Sequence, residues 1–269
     1  MAIRDETLEG RVALVTGGGR GIGQAVALGL AAAGARVAVL ARSTDEVTQT
    51  AALGAEQGGQ ALAVTADVSD PAQVSAALGV VGDRWGPVEV LVNNAAVVWP
   101  LGPSVEVDVE EWAAALAVNV TAVARLSFAV LPGMLESGWG RVVNVSSGIA
   151  THPASMTRAN AYATSKAALE AHTLNLAAEL GGTGVTVNVF RPGGVDTAMQ
   201  GWIRAQDPAL VGAGLHERFV HSYEQGRLLT PVQSASALLA RLAGGGTGQI
   251  WDAATGPATG MIHPDNHQD

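Results

Sequence analysis

The chain alternates short apolar runs with longer segments of helical spacing. Arg11–Thr16, Arg36–Ala41, Ala61–Thr65, Val88–Val92, Arg141–Val145 and Val185–Phe190 read as strands, and Gly248–Trp251 as a short seventh. A strand with one wet face would alternate apolar and polar residues. Most of these runs are apolar at successive positions, so both of their faces must be covered. Gly21–Gly34, Ser43–Gln57, a segment opened by Pro71, a long run at about Val109–Glu136 and Asn160–Leu180 read as the covering helices. Ser43 or Thr44 caps the second, and proline is tolerated in a first helical turn. Right-handed crossovers then leave one expectation: an α/β, Rossmann-like, doubly wound parallel sheet of about seven strands with helices on both faces.

No linker or internal repeat divides the 269 residues, so a single domain over 1–269 is expected. Residues 197–226 fit the pattern poorly, because Gly201, Pro208, Gly212 and Gly214 interrupt them. A lid over a substrate pocket is the favoured reading and a surface loop the alternative. Residues 253–269 read as an irregular tail.

Composition narrows the functional classes. Apolar residues make up 48% and charged residues 14%, which suits a packed core and excludes a disordered chain. With no cysteine there are no disulfides and no thiolate chemistry. A net charge of −9 disfavours nucleic acid and anionic membrane surfaces as partners. Asp5, Glu6 and Glu9 argue against a signal peptide. The most membrane-like stretch, Trp112–Leu135, is broken by Asn119, Arg125 and Pro132, and reads as a buried helix. His263 and His267 form no metal-ligand spacing, so no metal is expected. A cytoplasmic protein acting on a small molecule is the outcome.

The first strand runs directly into Thr16-Gly-Gly-Gly-Arg-Gly-Ile-Gly23, where a helix begins. Glycines permit a sharp turn and close approach to a pyrophosphate, and the first free N–H groups of the helix face the anion. Between a first strand and a first helix, this cluster signals dinucleotide binding. An acid at the end of the second strand would hold the ribose hydroxyl of NAD. That end reads Leu40-Ala41-Arg42-Ser43, without an acid, while Arg20 sits inside the glycine loop. Two guanidinium groups there suit a 2′-phosphate, so NADP(H) is expected over NAD(H). The missing acid also disfavours an S-adenosylmethionine methyltransferase.

Fourteen arginines accompany a single lysine, Lys166, which lies four residues after one of only two tyrosines, Tyr162. Positions four apart share a helix face. A phenol with an ordinary pKa near 10 is a poor acid–base group at neutral pH, and a nearby ammonium favours its phenolate. Lysine offers a compact charge with three donors, where arginine is planar and bulkier.

With these residues in view, the chain resembles the short-chain dehydrogenase/reductase family, over about residues 8–252. The resemblance rests on Thr16–Gly23, Asp67-Val68, Asn93-Asn94-Ala95, Asn119, Ser147, Tyr162/Lys166 and Arg191-Pro-Gly-Gly-Val-Asp-Thr197, in the family's order. It implies that Tyr162 gives or takes the proton and that Ser147 hydrogen-bonds the substrate oxygen. Lys166 would hold the nicotinamide ribose and lower the tyrosine pKa, and Asn119 would help hold a relay water. The expected cofactor residues in the glycine loop are Gly17, Gly19, Arg20, Ile22 and Gly23. Arg42, Asp67 and Val68 follow at the adenosine, then Asn93 and Ala95, then Pro192, Gly193, Val195 and Thr197 at the nicotinamide, beside Tyr162 and Lys166. Ser146 is the main rival of Ser147.

Two departures from the family pattern stand out. Ala96 replaces the glycine usual after Asn-Asn-Ala, and the Ser147-to-Tyr162 interval is two residues longer than usual. The extra length falls in Thr151–Arg158, beside the expected substrate pocket. His152, Met156, Trp99 and Trp202 could line that pocket. The expected activity is hydride transfer between NADP(H) and a carbonyl or secondary alcohol. A regulatory or scaffold protein with the same fold is the alternative. Apolar surface on the helices of Asn119 and Tyr162 suggests a homotetramer, with a dimer second.

Overall fold

The computed structural model describes residues 7–253. The strands are β1 (Val12–Thr16), β2 (Arg36–Ala41), β3 (Gln60–Thr65), β4 (Val90–Asn93), β5 (Gly140–Val145), β6 (Val185–Arg191) and β7 (Ile250–Asp252). They form one sheet in the order β3-β2-β1-β4-β5-β6-β7, and every pairing is parallel. The helices are α1 (Gly21–Ala32), α2 (Thr44–Glu56), α3 (Pro71–Trp85), α4 (Val109–Leu116), α5 (Ala122–Ser137), α6 (Asn160–Glu179), α7 (Ala198–Arg204), α8 (Pro208–Val211), α9 (Ala213–Glu224) and α10 (Pro231–Leu242). The 253–269 tail and its histidines lie outside the described residues, apart from residue 253.

Successive strand residues point to opposite faces, so the apolar runs feed two cores. On one face Leu14, Leu40, Leu91, Val142 and Val187 pack against Val81 of α3, Leu126, Val130 and Met134 of α5 and Leu176 of α6. On the other, Val15, Val39, Val92, Val143 and Phe190 meet Val26 and Leu30 of α1 and Leu238 and Leu242 of α10. Each fully buried side chain of this size contributes roughly 1.5–3 kcal/mol of hydrophobic stabilisation.

Two segments differ in detail from the sequence expectation. The run Val109–Ser137 is long and apolar enough to cross a membrane by length and composition, yet it packs on the sheet. It is interrupted by a π turn at Ala117–Thr121, a wide turn often found at functional sites. Residues 197–226 are largely helical, forming α7, α8 and α9. Thr197 and Asp207 cap α7 and α8 through their side chains, and Pro208 takes the first turn of α8.

Candidate active site

Strand order reverses between β1 and β4, and their carboxyl ends open into a cleft of ≈ 1340 Å³. Ligands of open α/β sheets bind at such a switch point. The glycine loop forms the floor. Gly17 turns with φ 61°, a conformation that suits glycine. Thr16 fastens the loop to the next strand: its Oγ1 accepts from the backbone N–H groups of Asn94 and Ala95, both at 3.0 Å. The Gly19 carbonyl accepts from Thr50 Oγ1 at 3.2 Å. The N-cap position of α1, Arg20, makes no side-chain cap, and no acid stands in the first turn. Side chains cap α2, α3, α4, α7, α8 and α10, whereas α5, α6 and α9, like α1, have no side-chain cap. An uncapped helix N-terminus behind a glycine cradle fits the pyrophosphate of a dinucleotide.

Gly17, Gly19, Arg20 and Ile22 line the cleft as expected from the sequence. Gly23 does not: it packs inward, where a side chain would meet the Gly17 carbonyl and Asn94. At the far end Arg42, Asp67 and Val68 line the wall. The two guanidinium groups there already face acids. Arg20 Nη1 is 3.1 Å from Glu46 Oε1, and Arg42 Nη1 is 3.9 Å from Asp67 Oδ2. Glu46, in the first turn of α2, belongs to this corner and escaped the sequence reading, because it lies beyond the strand end, inside the following helix.

Asn93 is not at the cleft wall. It is 2% exposed, and its Nδ2 donates to Asn144 Oδ1 at 2.9 Å inside the sheet–helix layer. Asn93 still belongs to β4, so its side chain follows the strand alternation into the core. Asn94 stands at the wall instead: it lines the cleft and its Nδ2 donates to the carbonyls of Thr16 at 3.0 Å and Gly17 at 3.2 Å. Ala95 and Ala96 follow along the wall. Across the cleft, Pro192, Gly193, Val195 and Thr197 form the opposite rim. The Pro192 carbonyl is held by Ser234 Oγ at 3.0 Å, and Leu229 N–H donates to the Gly194 carbonyl at 2.8 Å.

Tyr162 and Lys166 share one face of α6 and line the centre of the cleft. Tyr162 is 9% exposed. Burial raises its pKa above the ordinary phenol value, while a hydrogen bond with Ser147 pulls the other way. Lys166 stands one turn along the same helix face. The ammonium donates to the Val145 carbonyl at 2.7 Å and lies 5.7 Å from the tyrosine ring centroid. Burial lowers Lys166 itself to about 8, with Glu170 opposing the fall.

Ser147 and Ser146 part company at the end of β5. Ser147 stands at the cleft and partners Tyr162, and its Oγ also accepts from Ile149 N–H at 3.4 Å. The Ser146 hydroxyl turns inward and donates to Glu170 at 2.8 Å. Asn119, in the π turn, is 1% exposed and is not part of the cleft wall. Its Oδ1 accepts from Val97 N–H at 2.8 Å, and its Nδ2 donates to the Val97 carbonyl at 2.8 Å and Ser165 Oγ at 3.0 Å. The carboxamide is thus engaged with protein. It pins the segment after β4 to α6.

Trp99, Met156 and Trp202 border the substrate end of the cleft, together with Ile149, Met199 and Phe219. His152 does not: it is exposed and bonds Thr151. The lengthened loop is tied to the helices opposite. Arg158 Nη1 donates to the carbonyls of Ala209 and Leu210, and Arg218 of α9 donates to the Ser155 carbonyl. Arg158 itself has φ 68°, unusual for a side-chain-bearing residue.

The short chain dehydrogenase family model matches residues 11–208. A short chain dehydrogenase of Pseudocercospora fijiensis is 39% identical over 211 residues, 78% of this chain and 66% of that protein. The 3-oxoacyl-[acyl-carrier-protein] reductase of Vibrio cholerae is 38% identical over 192 residues, 71% of this chain and 76% of that one. The crystal structure of a single-substitution variant of actinorhodin polyketide ketoreductase with NADPH superposes with a TM-score of 0.82 at 34% identity, covering 94% of this chain and 97% of the other. With the family model spanning most of the sequence and the fold shared with such relatives, the chain belongs to the short-chain dehydrogenase family and is an NAD(P)-dependent oxidoreductase acting on the C=O/CH–OH pair.

Proposed function

We propose that the protein is an NADP(H)-dependent carbonyl reductase in which Tyr162 hands a proton to the substrate oxygen. The observation that carries this reading is the placement of Tyr162 itself. It is buried beside Ser147 at the centre of the cleft, one turn from Lys166 on α6, and a phenol is protonated at neutral pH. A protonated phenol can donate, which is what a carbonyl oxygen becoming an alcohol requires. Ser147 lies within reach of the same oxygen and orients it. A nicotinamide held in this cleft would supply the hydride. Lys166 holds the ribose and supplies positive charge next to the phenol as its proton leaves. Gly17, Gly19 and Ile22 with the N-terminus of α1 hold the pyrophosphate, while Asp67 and Val68 hold the adenine. Pro192, Gly193, Val195 and Thr197 hold the carboxamide.

Arg20 and Arg42 support NADP(H) over NAD(H), since no acid ends β2 and both arginines reach the mouth of the cleft. On binding, a 2′-phosphate would compete with Glu46 and Asp67 for them. The helices α7 and α9 act as the lid, and the apolar side chains of Trp99, Ile149, Met199 and Phe219 favour a substrate with an apolar body. Phe128, Leu135 and Leu174 leave exposed apolar surface on α5 and α6, which supports packing against further copies as a homotetramer. A cytoplasmic workplace is consistent with a chain without cysteine.

Tyr162→Phe tests the central claim. NADPH affinity, read by nucleotide fluorescence, is expected to stay within about threefold of the parent, while reduction of an accepted ketone falls by about 10²–10⁴. Turnover close to the parent's would refute the role given to Tyr162.

A further inference from the structure

Glu170 lies on α6 one turn beyond Lys166 and is 7% exposed. Two segments of the cleft converge on its carboxylate. Oε1 accepts from Ser146 Oγ at 2.8 Å and from Arg191 Nε at 2.9 Å, and Oε2 accepts from Arg191 Nη2 at 2.7 Å. Ser146 sits between Val145, whose carbonyl takes the Lys166 ammonium, and Ser147. Arg191 ends β6 and directly precedes Pro192 and Gly193. A buried ion pair is a poor way to gain stability, since apolar residues of similar volume often do as well. The acid of this pair stands one turn beyond Lys166 on α6, with the Glu170 and Lys166 side chains both buried, so its carboxylate bears on the ammonium. The charged and titratable groups around Lys166 are Tyr162 and Glu170 on α6 and Arg191 on β6, with Asp252 of β7 acting on Arg191 from beyond.

We infer that Glu170 is a positioning residue for the reaction: its buried carboxylate keeps the Lys166 ammonium charged and fixes, through Ser146 and Arg191, the two segments that flank it. The inference rests on the role of Lys166 proposed above. Opposite charge favours the ammonium against the desolvation that otherwise discharges it. Glu170 is the charge that opposes the fall of Lys166 to about 8. Without it the titration drops further, and the charged fraction of the ammonium near neutral pH falls with it.

The single lysine makes the test direct, because ¹³C-lysine labelling gives one side-chain signal in the cofactor-free protein. The Lys166 Cε shift is followed against pH in the parent, in Glu170→Gln, and in the double variant Glu170→Gln/Arg191→Gln, which leaves no unpaired guanidinium and serves if the single variant misfolds. The expected result is a Lys166 inflection lower than the parent's in Glu170→Gln, with a smaller fall in the double variant, where loss of the Arg191 charge offsets part of it. A high-pH loss of carbonyl reduction that moves down by the same amount would add support. A folded variant whose inflection stays within about 0.2 unit of the parent's would overturn the inference and leave Glu170 a structural residue. A parent protein with no turnover on any carbonyl would sink the reductase reading instead, and the titration result would stand apart from it.

Discussion

Glycines 23 and 82 are both helical, yet opposite outcomes are expected when each becomes alanine. Intrinsic propensity favours alanine at both by up to about 1 kcal/mol. Gly82 of α3 is exposed, and a β-carbon there meets nothing within 4 Å. Gly82→Ala is therefore expected to stabilise by about 0.5–1 kcal/mol. Gly23 of α1 is pressed against the glycine loop. A β-carbon would lie 2.8 Å from the Gly17 carbonyl carbon and 2.5 Å from Asn94 Nδ2, with the Gly17 oxygen closer still. The obstacle is backbone, and that carbonyl accepts from Asn94 at 3.2 Å, so relief must shift the loop that cradles the pyrophosphate. Overpacking of this kind costs about 1–3 kcal/mol, and the upper end applies where backbone must move. After the propensity gain, Gly23→Ala is expected to lose about 2 kcal/mol. At about 2–4 °C per kcal/mol for a chain of this size, its Tm falls by roughly 4–8 °C, while that of Gly82→Ala rises by about 2 °C. Thermal unfolding at one fixed protein concentration reads both, and NADPH affinity should fall at least about tenfold in Gly23→Ala alone. A Gly23→Ala protein as stable as Gly82→Ala, with parental nucleotide affinity, would refute the packing argument.

Other substitutions address separate parts of the mechanism. Lys166→Arg keeps the charge but not the compact, three-donor geometry. A folded protein with turnover lowered by about 10²-fold or more is expected, and parental rates would show that arginine suffices. Arg42→Gln is expected to weaken NADPH binding by about tenfold while changing NADH binding little, and a titration in which both weaken equally would remove the argument for a 2′-phosphate. Phe128→Asp, at a side chain 57% exposed on α5, is expected to reduce the mass seen by light scattering without changing the circular dichroism spectrum; an unchanged mass would place subunit contacts elsewhere.

The sheet is legible in the sequence because strands covered on both faces are rich in apolar β-branched residues, although β6 reads Val-Thr-Val-Asn-Val and buries its polar side chains as well. The glycine loop and the Tyr162/Lys166 pair are legible because each needs particular residue types at short spacing. What escapes detection depends on contacts between distant residues or on the end of an element. Asn93 and Asn94 are chemically identical, and only the last residue of β4 decides which one turns to the cleft. Glu170 acquires its meaning from Arg191, 21 positions away and on another element. Pro208 reads as a break in residues 197–226, although a cap residue followed by proline, as in Asp207-Pro208, is also how a helix begins.

The arginines crossing between loop 151–158 and helices α8 and α9 bear on how such a pocket could be redesigned. Arg158 reaches from the loop to Ala209 and Leu210, and Arg218 reaches back to Ser155. Each wall therefore supplies the tie that anchors the other, and the two behave mechanically as one piece. Grafting a relative's loop alone would cut one tie by replacing Arg158 and misplace the carbonyl that receives the second. Residues 151–158 and 208–218 form the natural unit of exchange, and a transplant that moves them together carries its own fastening.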